Sequence, residues 1–99
     1  MITPGTYVII RSSDAGIHAG TLESYDPATR TANLLNSRRL WYWAGAFTLS
    51  ELATNGPKRP GECKFATTVA EIVVLDICEI INATSAETAI KAVPDYQTR

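Results

Sequence analysis

Apolar, β-branched segments separated by polar turns dominate the first third of the chain. These segments lie at 7–11, 17–24 and 31–35. Between them are the sequences Asp14-Ala15-Gly16 and Asp26-Pro27-Ala28-Thr29, which are typical of turns. The pattern predicts a hairpin followed by a third strand, which continues through the aromatic residues as far as Trp43.

The longest apolar run, IVVLDICEII at 72–81, permits two interpretations. Helical spacing would place Val74, Ile77, Cys78 and Ile81 on one face. Its many β-branched residues favour a strand instead, and both faces of that strand would be apolar. We therefore predict one strand over 72–81, central in the sheet or at an interface, and an obligate oligomer, because a short chain has few elements to cover both faces.

Two capping boxes predict short helices. Thr48 and Glu51 begin one that stops before Gly56, and Thr84 and Glu87 begin one that continues to Val93. A loop is expected over 56–61 and a short strand over 63–67. The fold class is therefore predicted as α+β, a single domain over 1–99 with an antiparallel sheet and two short helices.

Composition and charge narrow the class of ligand. The 99 residues have 45% hydrophobic and 19% charged side chains, as in an ordinary globular domain. The net charge of −1 conceals a basic middle: 30–64 contains six basic and two acidic residues, whereas 71–95 contains five acidic residues and one lysine. A pI near 5.7 argues against a nucleic-acid polymer, and a local basic patch suits a small anion better.

The sequence contains no recognisable enzyme motif, so we expect no catalytic residue, metal or cofactor. The histidine His18 lies near a turn, and Asp76 and Glu79 would point to opposite faces of a strand. Cys63 and Cys78 are expected to be reduced and buried. No apolar run approaches the ~18 residues of a membrane span, and no signal peptide is apparent, so a cytoplasmic location is expected.

The stretch RRLWYWAGA at 38–46 combines two arginines with three aromatic residues. On a strand, Arg39, Trp41 and Trp43 share one face, and Arg38 shares the other with Tyr42. In one interpretation the tryptophans belong to the core, with the arginines beside them. In the other, the rings stack on a flat base and a guanidinium binds a phosphate. The candidate ligand-binding residues are Asn36, Arg38, Arg39, Trp41, Tyr42, Trp43, Phe47, Lys64 and Phe65.

With these residues the chain resembles the first type of Thoeris anti-defence protein, a family of phage sponges. The similarity extends over about 7–93 and depends on the segments 15–20, 36–46, 49–53, 63–65, 71–72 and 79–81. The resemblance implies a non-enzymatic protein of the host cytoplasm that sequesters glycocyclic ADP-ribose intact between subunits. It also implies a homodimer or a hexamer, with cyclic di- or trinucleotides as further ligands. Two alternatives remain, namely an oligomeric protein-interaction module and an enzyme that cleaves such nucleotides.

Overall fold

The computed structural model describes residues 2–96 and has an α+β fold. Its strands are β1 (Tyr7–Ser12), β2 (Gly16–Asp26), β3 (Thr31–Tyr42), β4 (Lys64–Phe65), β5 (Val69–Val74) and β6 (Ile77–Asn82). Its helices are α1 (Leu49–Asn55) and α2 (Glu87–Lys91), and single 3₁₀ turns lie at Pro60–Glu62 and Thr84–Ala86. The predicted antiparallel sheet with two short helices is thereby confirmed.

The six strands form one curled antiparallel sheet. The first three make a meander, and β6 pairs with the outer side of β1. Two short strands share the outer side of β3, with β4 along its end and β5 along its beginning. Only Leu75 and Asp76 connect β5 on one edge to β6 on the other, so the sheet must curl to bring its edges together.

Each face of the sheet has its own apolar cluster. Tyr7 and Ile9 of β1 point towards the helices and pack with residues such as Leu52 and Ile90. Val8 and Ile10 point into the concave side. They pack there with Leu22, Leu34, Val74 and Ile77. The small chain thus buries both faces of β1 from Tyr7 to Ile10.

The prediction of one strand over 72–81 is wrong. The chain turns at Leu75 and Asp76, where Asp76 has φ of 53° in the left-handed region that aspartate tolerates better than most residues. Ile77 and Ile80 pack on the concave cluster and Ile81 packs on the helix-side cluster. The two strands cover part of this apolar run within one chain, but Val73 and Leu75 remain 56% and 55% exposed, and the oligomer stays a prediction.

The predicted helices exist, but their caps differ from expectation. Thr48 accepts a hydrogen bond from the Glu51 amide at 3.1 Å, while the Glu51 carboxylate accepts one from Phe47 N rather than from Thr48 N. The second capping box is wrong, because Thr84 opens a 3₁₀ turn and donates its hydroxyl to Asn82 Oδ1 at 2.7 Å. The Thr84 hydroxyl thus binds a side chain two residues upstream, and among the described residues no side chain caps the start of α2.

Other expectations concern burial and membranes. Cys63 is buried as expected, but Cys78 is exposed on the edge strand β6, so that prediction is wrong. Glu79 pairs with Arg11 of the neighbouring strand at 2.8 Å. Within residues 2–96 no helix is long and apolar enough to cross a membrane.

Candidate functional site

A surface cavity of about 780 Å³ forms an open cleft beside the end of β3. We call it the aromatic cleft; it is lined by Trp41, Tyr42, Lys64, Ala66, Thr67 and Tyr96. Trp41 is 60% exposed, and both tyrosines are about half exposed. Exposed aromatic rings gathered around a cation are typical of a site for a flat ligand.

An irregularity in β3 explains how neighbouring aromatic residues reach one cleft. Leu40 pairs with Phe65 and Tyr42 pairs with Lys64, so two residues of β3 are opposite one residue of β4. This bulge at Trp41 interrupts strict alternation, as bulges do. Trp41 and Tyr42 consequently both line the cleft, although they would point to opposite faces of a regular strand.

Two cations lie against the aromatic rings. The Arg39 guanidinium stacks on Trp41, with Cζ 3.9 Å from the ring centroid, and Lys64 Nζ lies 5.3 Å from the ring centroid of Tyr96. Stacking of this kind is electrostatically favourable and holds a planar cation in a defined orientation. The site thus combines apolar ring surface with positive charge.

The neighbouring Arg38 has a different environment, with 3% of its surface exposed. It donates hydrogen bonds to the carbonyl oxygens of Ala66 at 3.0 Å, Ile90 at 3.1 Å and Val93 at 2.8 Å, and to Asp95 Oδ1 at 3.0 Å. Burial lowers the pKa of Arg38, and the Asp95 carboxylate opposes that shift. Arg38 therefore fastens the end of α2 to the sheet and does not line the aromatic cleft.

Four other residues predicted from the sequence also lie outside the aromatic cleft. Phe65 is fully buried in the helix-side cluster, and Trp43 packs against the same cluster instead of sharing a face with Arg39. Asn36 has φ of 50° in an irregularity of β3 and is exposed. Phe47, 94% exposed, lines a separate depression of about 360 Å³ with Lys58 and Arg59.

Tyr96 was not among the residues predicted from the sequence, because no motif marks a tyrosine near the end of the described chain. Tyr96 reaches the cleft because Asp95 bridges to Phe65 in parallel and Tyr96 N donates to Phe65 O at 2.9 Å. At Gly45, two segments of the chain approach each other closely. A Cβ there would lie 2.6 Å from Lys58 N, and its φ is +85°.

A second, smaller depression of about 190 Å³ adjoins the aromatic cleft and shares Ala66 and Thr67 with it. We call it the polar depression; its polar walls are His18, Ser37 and Arg39. His18 Nε2 lies 2.8 Å from Ala15 O, so the neutral ring carries its proton on Nε2 and donates it. Burial lowers the pKa of His18; the bond to Ala15 raises it and the charge of Arg39 lowers it further.

No cluster of three or more metal-binding side chains occurs in the part of the chain that the structure describes. The chain belongs to the family described as a domain of unknown function (DUF6948), whose model matches residues 5–92. Comparisons with curated proteins and with solved structures gave no match. The description of this family assigns it no activity.

Proposed function

We propose that this member of the DUF6948 family binds a cyclic ADP-ribose-type nucleotide and sequesters it without chemical change. In this proposal it acts in the host cytoplasm as an anti-defence sponge against Thoeris signalling. The observation that carries the proposal is the aromatic cleft, where Trp41, Tyr42 and Tyr96 surround one cavity with Lys64 beside them. The resemblance described above supplies the ring closure of the ligand and the pathway.

Energetics favour a nucleobase as the part of the ligand that enters this cleft. Stacking of a base on an aromatic side chain contributes about 1–3 kcal/mol and needs no particular hydrogen-bonding edge. Arg39 already covers part of Trp41, yet the indole remains 60% exposed. The remaining ring surface of Trp41, together with the two tyrosines, offers more than one wall for a purine.

The lining of the aromatic cleft favours binding over turnover. Its described residues supply a cation, two phenols and a threonine hydroxyl, and they include neither a carboxylate nor an imidazole. The imidazole of the adjoining polar depression, His18, already donates its Nε2 proton to Ala15 O. Cleavage of a glycosidic or phosphate ester bond normally requires such groups or a metal. A protein that only holds the ligand needs stacking and charge neutralisation alone.

A dimer or hexamer remains part of the proposal through the resemblance, in which the ligand lies between subunits. The exposed aromatic rings of the cleft support an oligomer, since a partner subunit would cover the ring surface that one chain leaves exposed to solvent. Light scattering of the free and ligand-saturated protein at micromolar concentration tests this part. A monomer in both states would contradict it.

The central experiment is calorimetric titration with glycocyclic ADP-ribose, followed by heating and chromatography of the released ligand. We expect Trp41→Ala to weaken binding at least tenfold, because a stacking surface is lost. Tyr25→Ala is the matched control, since Tyr25 is 40% exposed in a separate depression beside Ile2 and Pro4. Absence of binding, equal loss in both variants, or recovery of linear ADP-ribose in place of the intact ligand would contradict the proposal.

The alternative is a protein-interaction module, and the isolated exposure of Phe47 favours it. An unpaired phenylalanine on the surface beside Lys58 and Arg59 suits a protein contact better than a nucleotide. If Phe47→Ala changes the oligomeric state while every nucleotide leaves the melting temperature unchanged, the interaction module replaces the sponge. A bound ligand would raise that temperature by mass action.

A further inference from the structure

The Ser37 hydroxyl is buried and has no hydrogen-bond partner among the residues described. Ser37 is 1% exposed and lines the polar depression. Leaving a buried hydroxyl unpaired is unfavourable, and native proteins rarely do so without a reason. The comparable hydroxyl of Ser12 is also buried, but it donates to Leu75 O at 2.6 Å. Ser37 therefore stands out as a buried donor without a partner in the described chain, at the wall of the polar depression.

The residues along β3 place this hydroxyl in line with the aromatic cleft. Ser37 and Arg39 are alternate residues that line the same depression, and the Arg39 guanidinium stacks on Trp41 at the bulge that follows. Arg39 is paired with His18, which is paired with Ile10, so this face is the concave one and not the helix-covered one. One continuous surface thus passes from a hydroxyl, through a guanidinium, to an indole.

Two glycines of β2 make room for this arrangement. A Cβ on Gly16 would lie 2.9 Å from Arg39 Nη2, and a Cβ on Gly20 would lie 2.9 Å from Ser37 Cβ. Any larger residue would push the guanidinium or the serine out of place. The two glycines of β2 therefore leave the space that the Arg39 and Ser37 side chains occupy beside the polar depression.

We propose that the polar depression is a phosphate-binding subsite in which the Ser37 hydroxyl and the Arg39 guanidinium hold the phosphate groups of the nucleotide. As part of one ligand site, this inference rests on the proposed function. The base would occupy the aromatic cleft, and the phosphates would extend past Ala66 and Thr67, which both cavities share.

The chemistry of the two donors suits a phosphate better than a sugar or a base. A guanidinium offers a planar fork that matches two phosphate oxygens, and a hydroxyl adds a third hydrogen bond to an acceptor-rich group. Trp41 holds the Arg39 fork in position by stacking. Because the Ser37 hydroxyl has no partner to give up, its bond to an incoming oxygen is a net gain.

The decisive variant is Ser37→Ala, compared with Ser12→Ala as a matched control. Ser37→Ala keeps the Cβ that packs against Gly20 and removes only the unpaired hydroxyl. We expect an unchanged or higher melting temperature together with a tenfold weaker affinity for pyrophosphate. Ser12→Ala should lower the melting temperature, because it leaves Leu75 O without its donor, and it should leave the affinity for pyrophosphate unchanged.

Pyrophosphate and adenosine as separate probes distinguish failure of this inference from failure of the proposed function. If pyrophosphate does not bind, or binds equally to wild type and Ser37→Ala, the subsite is overturned whatever the nucleotides do. If adenosine and cyclic ADP-ribose both fail to bind while pyrophosphate binds through Ser37, the aromatic-cleft proposal fails and the subsite stands. If both proposals hold, Ser37→Ala weakens cyclic ADP-ribose but not adenosine.

The imidazole of His18 provides a spectroscopic readout that a structural role of Ser37 would not move. Pyrophosphate bound beside Arg39 should offset the positive charge that helps to lower the pKa of His18. The titration of the His18 ring protons, followed by NMR, should therefore move to higher pH on saturation with pyrophosphate in the wild type. An unmoved titration curve at saturation would place the anion elsewhere and overturn the subsite.

Discussion

Arg38 and Arg39 are neighbours in the sequence and opposites in the structure. Arg38 points to the helix-covered side, where main-chain carbonyls and Asp95 surround its guanidinium. Arg39 points to the concave side, where its guanidinium stacks on Trp41 and borders the polar depression. One strand thus presents identical chemistry to two environments, and the environment alone decides whether an arginine stabilises the fold or faces a cavity.

The two roles are still connected through the chain. Arg38 holds Ala66 and the segment after α2, and that segment continues into Tyr96 of the aromatic cleft. Arg38 is therefore a positioning residue for two walls of the cleft, while Arg39 is a candidate contact residue. Substitutions that separate stability from affinity test this comparison directly.

The largest effect is expected for Arg38→Ala. The substitution removes the donors for several buried carbonyls, and unsatisfied buried acceptors cost about 1–3 kcal/mol each. We expect the free energy of unfolding to fall by about 3 kcal/mol or more, measured by urea denaturation. Arg11→Ala is the control, because Arg11 is exposed and its single ion pair with Glu79 contributes at most about 1 kcal/mol. Equal decreases in the free energy of unfolding in the two variants would show that Arg38 does not fasten the end of α2 to the sheet.

The next effect separates affinity from stability at Arg39. Arg39→Ala should weaken binding of cyclic ADP-ribose roughly ten- to hundredfold, as expected for a charge-assisted hydrogen bond of about 1.5–3 kcal/mol. Its effect on unfolding should be about 0.5–1 kcal/mol, the contribution of a partly exposed cation–π contact. Arg39→Lys should lie between wild type and alanine, because it keeps the charge and loses the fork. If the affinity falls only in proportion to the stability, Arg39 stabilises the fold, as Arg38 does, and does not contact the ligand.

A smaller effect is expected for Asp95→Asn, which tests how much the ion pair between Arg38 and Asp95 contributes to stability. Asp95 is 39% exposed on its side chain, and such pairs contribute about 0–1 kcal/mol. The amide oxygen of asparagine can still accept the bond from Arg38. Chemical denaturation should therefore show that the free energy of unfolding falls by less than about 1 kcal/mol. A decrease as large as that of Arg38→Ala would mean that the Asp95 carboxylate, and not the carbonyls, accounts for most of the stabilisation by Arg38.

The smallest expected effect is on the pH dependence of stability, and it involves Arg39 but not Arg38. The pKa of His18 is lowered in the folded protein from its usual 6.5, so the unfolded chain binds a proton more readily. The contribution of His18 to stability is full above pH 6.5 and declines as the pH falls towards the folded-state pKa. Arg39→Ala should raise that pKa and flatten this decline, whereas Arg11→Ala should leave it unchanged. Melting curves between pH 5 and 8 measure both.

Local patterns predicted most of the strands, because residues such as Val8 and Ile9 and the turn at Gly16 encode them nearby in the sequence. The break at Asp76 was missed, because an apolar run with one aspartate is compatible with a strand unless the partners on both edges are known. Those partners, Ala32 for Val74 and Ser12 for Ile77, are distant in the sequence.

The candidate site was only partly predictable for the same reason. Alternation correctly placed Arg38 and Arg39 on opposite faces, and the aromatic residues indicated a flat ligand. Burial of Arg38 depends on carbonyls after α2, and Tyr96 arrives through a bridge to Phe65. Ser37 carries no sequence signal, since only the structure shows that its hydroxyl has no partner in the described chain.

The two-residue connection at Leu75 and Asp76 also has a consequence for the order of folding. The meander of β1, β2 and β3 can form from neighbouring segments, whereas β6 must find β1 across most of the chain, as in the pairing of Val8 with Asn82. Long loops close slowly, so we expect this pairing to form last. Until it does, the outer edge of β1 is unpaired, and the nascent chain is exposed there to mispairing with other strands.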